Sequence, residues 1–342
     1  MALTRRGFLT LPVAAALASA CASSARVLQR SSDYFEIAIT NPRTAPKGTI
    51  VVAMPETVQT REVWTGLEDE LGRDYRLVAV RVDGPGAAPV IAEAIRRHQP
   101  AALVLMNNPT VAAYRTFQDQ SATKQFPPAV VVMTSFLDVQ PTQISSAMGI
   151  SYEVPLITAV TSLRKLMSSP IERVGVIVRA SQRGFVQRQA SLARREQIDV
   201  IAQEVSPSPN ASELKWALRK LKHRIDVLWI LNDDQLLTPR LIADAWLPGL
   251  NERPYSVTIV GAASLVSPTQ SFGTFAVLPD HTALGVQAAN MILDLADNGW
   301  ALPTANQVEL PLSTTTTVDL VQVRQRFSLR SDALQQVDHI RE

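Results

Sequence analysis

The feature that most limits what this chain can fold into is an alternation that runs along it twice. Continuous apolar runs, GTIVVAMP at 48–55, YRLVAVRV at 75–82, AALVLMNN at 101–108 and AVVVMTS at 129–135, are separated by segments with helical spacing at 60–72, 88–99 and 109–120. A strand buried on both faces reads as an unbroken apolar run, and such strands pair in parallel sheets covered by helices. A second set follows, with strand patterns at 173–180, 199–205, 226–233 and 256–262 and helical patterns at 182–196, 210–224 and 237–247. Two doubly wound α/β lobes in tandem are the simplest architecture that uses both sets.

The remaining segments set the expected boundaries. Residues 149–169, a short strand and an amphipathic helix, carry the chain from one lobe to the next. Residues 272–299 supply a further strand and helix, expected to return to the first lobe because the second set is already complete. Strand-like segments at 308–312 and 316–323 close the chain. The expected division is 48–148 plus 272–305 for lobe 1 and 149–271 plus 306–325 for lobe 2, with a hinge and a ligand cleft between them.

The first residues answer a different question. TRRGFLTLPVAAALASACASS places Arg5 and Arg6 before an apolar run from Leu9 to Ala18 and small residues before Cys21. The run is too short to span a bilayer and has the layout of an export signal. TRRGFL resembles a twin-arginine signal, although Thr10 stands where lysine is usual, so a general secretory route stays open. Ala18-Ser19-Ala20-Cys21 resembles a bacterial lipobox, which makes Cys21 a lipidation candidate; the same residues also fit plain Ala-x-Ala cleavage. Residues 1–21 are thus read as the signal and 22–47 as a tether. As the chain's one cysteine, Cys21 has no partner for an internal disulfide.

Composition excludes some classes. The chain has 342 residues, 46% of them hydrophobic, enough for two sizeable cores, and no later apolar stretch is long enough for a membrane span. With 33 basic and 31 acidic residues spread along it, and only 6% aromatic residues, it offers no nucleic-acid surface. The sequence lacks a Gly-x-Ser-x-Gly elbow, a His-Glu-x-x-His motif, a Walker loop and a Gly-x-Gly-x-x-Gly turn, and its four histidines are scattered. No catalytic residue, metal site or cofactor is expected.

Several segments together carry a family resemblance. REVWTGLEDELG, AMGISYEVPL, RVGVIVRASQ, VLWILNDDQLL and LPDHTALGVQAANMIL, the last with Asp280 and Gly285, occur in the order found in bacterial ABC-transporter substrate-binding proteins of the tryptophan/tyrosine-binding type. The chain resembles that family over about residues 48 to 312. The resemblance implies a type I periplasmic-binding fold, a small-molecule ligand, a membrane permease as partner and a location outside the cytoplasmic membrane. PETVQT, the loop after RVGVIV and TTVDLVQVRQRF depart from the family pattern. These departures fall at strand ends, so they bear on the ligand rather than the fold.

Ligands of open parallel sheets lie beyond the carboxyl ends of the strands, where helices begin. The candidate ligand-binding residues are therefore the polar ones at those ends: Glu56, Thr57, Asn107, Asn108, Thr134 and Ser135 in the first lobe; Ser151 and Tyr152 at the crossover; Ser181, Gln182, Asn232, Asp233 and Ser264 in the second; and Asp280 on the return segment. Amides and hydroxyls suit a neutral or zwitterionic, amino-acid-like ligand, with Glu56 or Asp233 available to an ammonium. Local roles compete. Asn107-Asn108-Pro109, Asp233-Asp234 and Asp280 also read as helix caps, Thr134-Ser135 as a turn, and Tyr152 as hinge packing. Trp64, Trp229 and Trp246 read as core.

The expected protein is an exported, monomeric solute-binding component of an ABC transporter, attached to the membrane if Cys21 carries lipid. The alternative is an envelope sensory or scaffold protein that keeps the fold and binds a protein partner. Replacing both arginines by lysine (Arg5→Lys with Arg6→Lys) is expected to abolish export in cell fractionation; unaltered export overturns the twin-arginine reading.

Overall fold

The computed structural model describes residues 34–342 apart from 138–143, 255, 267–271 and 305–307. The export signal, Cys21 and tether residues 22–33 lie outside the described residues. Residues 36–342 form a single unit built from two seven-stranded sheets.

The first sheet contains β1 (Glu36–Thr40), β2 (Thr49–Met54), β3 (Arg76–Arg81), β4 (Ala102–Met106), β5 (Ala129–Thr134), β6 (Ala147–Ser151) and β12 (Val308–Glu309), in the order β1-β3-β2-β4-β5-β6-β12. The second contains β7 (Arg173–Arg179), β8 (Asp199–Val205), β9 (Val227–Ile230), β10 (Val257–Val260), β11 (Phe275–Pro279), β13 (Thr314–Asp319) and β14 (His339–Arg341), in the order β14-β13-β11-β10-β9-β7-β8. Pairing is parallel apart from β1 on β3 and β13 on β11. Central strands are buried throughout: every residue of β4, β9 and β10 is inside. This is the origin of their unbroken apolar sequences.

Helices α1 (Val58–Leu71), α2 (Ala88–His98) and α3 (Asn108–Gln120) belong to the first lobe; α4 (Leu156–Leu166), α5 (Arg183–Ala193) and α6 (Ala211–Lys222) belong to the second. Their starts follow capping chemistry. Thr57 and Thr60 form a reciprocal capping box at α1, and Asn107 and Asn210 accept from backbone N–H groups three residues on at α3 and α6. Trp64, Trp229 and Trp246 are buried in three separate apolar clusters.

Four boundaries differ from the sequence expectation. Glu36–Thr40, inside the expected tether, is a strand that pairs with β3. Ala147–Ser151 extends the first sheet beyond residue 148, pairing with β5. Phe275–Pro279 lies in the second sheet, parallel to β10, because that sheet continues past its fourth strand and needs Phe275 and Val277 to fill its core. Val308–Glu309 pairs with β6 and so lies in the first sheet, not with the segment that follows it. The strand-like pattern at 316–323 also divides: β13 ends at Asp319, whose side chain accepts from the Gln322 N–H and starts α8 (Leu320–Arg326).

The chain therefore crosses between the lobes three times, at 151–156, 279–281 and 309–314. The last two crossings are joined by the Asp280 N–H, which donates to the Ser313 carbonyl at 3.1 Å. The second crossing leads into α7 (His281–Asp297), which lies on α1 of the first lobe. At that contact Gly66 faces Gly285, and each helix's backbone sits where the other residue's Cβ would be. Gly285→Ala would drive a methyl group into the Val63 carbonyl oxygen. Overpacking of this kind costs about 1–3 kcal/mol, and urea denaturation is expected to show a loss of that size. Unchanged stability would mean that the helices can separate freely.

Candidate functional site

The carboxyl ends of β5 and β9 meet where the lobes join. Asn232, just after β9, donates from Nδ2 to Ser135 Oγ, just after β5, at 3.0 Å. Ser135 is held from behind by its own N–H, which donates to Asn108 Oδ1 at 3.0 Å. The next N–H, of Phe136, donates to Glu153 Oε2 on the first crossing at 2.8 Å, and Ser151 Oγ donates to the same oxygen at 3.4 Å. Four of the candidates, Asn108, Ser135, Ser151 and Asn232, thus belong to one hydrogen-bonded group that ties both lobes and a crossing together.

The backbone at this edge is unusual. β5 is bulged between Val131 and Thr134 in its pairing with β6. Met133 and Phe136 have φ of 58° and 57°, and Asn107 at the end of β4 has φ of 76°. Non-glycine residues pay for this region, about 1–3 kcal/mol each, and keep it only where the surroundings enforce it. Asn107 combines it with an extended ψ of 166°, a conformation that glycine normally fills, while its side chain caps α3 by accepting from the Thr110 N–H at 3.1 Å. Phe136 has no polar side chain to do the same. Its ring is 5% exposed and lies in the apolar core of the second lobe, edge-on to Phe185 at 5.4 Å, with Trp229 next in line.

The second and first crossings meet at Tyr152 and His281. Their rings are stacked, with centroids 6.0 Å apart and planes 13° apart, and Tyr152 Oη lies 3.0 Å from His281 Nε2. His281 Nδ1 lies 2.9 Å from Glu62 Oε2 on α1. A carboxylate only accepts, so Nδ1 carries the proton; in the neutral ring Nε2 then accepts the phenol O–H. Burial pushes the Tyr152 phenol up to about 12, so it stays a donor at ordinary pH. With Glu153, Trp229, Asn232 and Gly261, Tyr152 also borders a cavity of about 30 Å³.

The other candidates are engaged elsewhere. Glu56 pairs with Arg61, and Thr57 caps α1. Thr134 is buried and donates to the Val132 carbonyl at 3.4 Å. Ser181 donates to Gln182 at 2.8 Å. Ser264 is exposed on the short turn after β10. Asp280 is the N-cap of α7, accepting from the Ala283 N–H at 3.0 Å.

Asp233 corrects the sequence reading most sharply. Its side chain is fully buried and forms two parallel hydrogen bonds of 2.7 Å with the Arg179 guanidinium. Its charge is therefore matched inside the protein rather than offered to an ammonium, and the helix that follows is capped by Thr238 instead. Arg179 ends β7, 54 residues earlier; nothing in the local sequence names it as the partner. Among the described residues no group of three or more His, Cys, Asp or Glu side chains is placed to hold a metal ion, and no helix is long and apolar enough to cross a membrane.

No protein-family model matches the chain, and no curated protein matches it in sequence. Solved structures do match it in shape. A substrate-binding protein with adhesive properties from Clostridium difficile, solved ligand-free and open, superposes with a TM-score of 0.59 at 13% identity, over 86% of this chain and 98% of its own. An ABC domain from Streptococcus pneumonia in complex with L-Trp gives 0.54 at 13% identity, over 85% and 99%. A conserved domain protein from Vibrio cholerae gives 0.54 at 16%, over 86% and 99%. The chain therefore has the type I periplasmic-binding-protein-like fold, two α/β lobes of seven strands each.

Removing one partner of a buried ion pair leaves the other charge stranded. Arg179→Ala is expected to lower the unfolding free energy by about 3–5 kcal/mol in urea. A loss near zero would show that water reaches Asp233.

Proposed function

We propose that the chain is an exported solute-binding protein that captures a small molecule between its lobes and presents it to an ABC permease. Cys21 is the site of its lipid anchor in this reading, and no chemistry is assigned to it. The observation that carries the proposal is the convergence of polar strand-end groups from both sheets, Asn108, Ser135 and Asn232, on a junction bordered by Tyr152 and Glu153 and crossed by three hinge segments. Two sheets that meet at their carboxyl ends through a few crossings can close over a ligand, provided that closure adds contacts.

The site's chemistry narrows the ligand. Arg179 takes the charge of Asp233, and Arg61 pairs with Glu56. Amides, hydroxyls, the Tyr152 phenol and the Glu153 carboxylate are left as the main polar groups, which suits a zwitterionic, amino-acid-like solute whose ammonium could meet Glu153. The second reading, a scaffold that binds a protein partner, is favoured by one observation: the cavity of about 30 Å³ has room for only about two water-sized spheres.

A thermal-shift screen of the protein against amino acids, short peptides, nucleosides and organic acids tests the proposal. A ligand that binds only the folded state raises Tm by mass action. A rise confined to amino-acid-like compounds is the expected outcome. No shift across the panel, with mass spectrometry showing no co-purified small molecule, overturns it in favour of the second reading.

A further inference from the structure

We propose that Met133–Phe136 is a built-in latch that closes the two lobes on each other without any ligand, with Phe136 seated in the second lobe as an internal occupant of the junction. This does not depend on the solute-binding reading; it concerns what holds the lobes together when nothing else is present.

Three independent features point to it. The first is ownership. Phe136 follows a strand of the first sheet, yet its ring belongs to the apolar core of the second lobe, packed edge-on against Phe185 and in line with Trp229. Separating the lobes would draw that ring out of the core into water. The loss of apolar burial opposes this motion.

The second feature is the set of polar ties around the ring. Asn232 Nδ2 reaches across to Ser135 Oγ at 3.0 Å, while the Ser135 and Phe136 N–H groups are fixed by Asn108 at 3.0 Å and Glu153 at 2.8 Å. One bond spans the lobes directly; the others aim the segment at it. The third feature is the backbone. β5 is bulged before Thr134, which still pairs with Ser151, and the chain leaves the first sheet after Thr134, with Phe136 at positive φ. Conformations of this kind persist where the surrounding structure holds them; here Asn108 and Glu153 fix the backbone, while the Phe136 ring against Phe185 and the Asn232–Ser135 bond tie it to the other lobe. Bulges of this sort re-aim a side chain at a strand end.

A solute that enters by separating the lobes must draw Phe136 out of the second lobe's core, so it competes with a side chain of the protein itself. The same physics applies to a protein partner that prises the lobes apart.

The test measures lobe separation with no solute added. Spin labels are placed in the full chain at Val58→Cys and Gln235→Cys, exposed positions just beyond the ends of β2 and β9, with Cys21→Ser to remove the native thiol. Electron–electron double resonance on the ligand-free protein is expected to give one short, narrow distance. Phe136→Ala with Asn232→Ala is expected to shift it to a longer, broader distribution. Asn232→Ala alone, which removes no core side chain, shifts it in the same direction but less, and Phe136→Leu keeps the short distance; these two serve if the double variant does not fold, as judged by circular dichroism. A long distance in the unsubstituted ligand-free protein overturns the latch, as does a short one that Asn232→Ala and the double variant leave unchanged. Because no solute is present in any arm, a failed ligand screen and a failed latch are told apart.

Discussion

Much of this architecture depends on the close approach of two helix backbones. α1 and α7 touch at Gly66 and Gly285, where neither helix can carry a side chain without pushing the other away. α7 follows directly from β11 of the second sheet, so its docking on α1 obliges the chain to return to the first lobe. A further crossing, from β12 to β13, is then needed to complete the second sheet. Three crossings instead of one give a hinge whose segments brace one another: Asp280 bonds to Ser313, and Tyr152 stacks on His281, which is itself tied to Glu62 on α1.

The junction shows how such a frame divides labour. Helix capping uses Thr57, Asn107 and Asp280, and a buried ion pair uses Asp233 and Arg179. Local tasks therefore absorb several polar strand-end groups. What remains for contact between the lobes is a narrower set, Ser135, Asn232 and Phe136, supported by Asn108 and Glu153. Polar character at a strand end is a weak sign of ligand contact, because helix starts in an α/β fold demand the same residue types.

The sequence made the strands and helices plain wherever burial is uniform. TIVVAM, ALVLM and VLWI announce central strands because water touches neither face. The caps were visible too, since capping is a matter of three or four neighbouring residues. What the sequence hid depends on distance. Nothing near Phe275 tells which sheet its strand joins, because that is decided by pairing with Val257–Val260 and Thr314–Asp319. Nothing near Asp233 points to Arg179. Phe136 is the clearest case: one apolar residue after Thr134 and Ser135 reads as the end of a strand, and only the fold places it in the other lobe's core.

The burial of Phe136 among Phe185 and Trp229 also has a consequence for temperature. Apolar burial near room temperature draws its strength from the entropy of water, and that contribution fades as the solution cools. Contacts made of hydrogen bonds do not weaken in the same way. The part of the junction that rests on this ring therefore holds less firmly in the cold than when warm, whereas the Asn232–Ser135 bond beside it does not share that dependence.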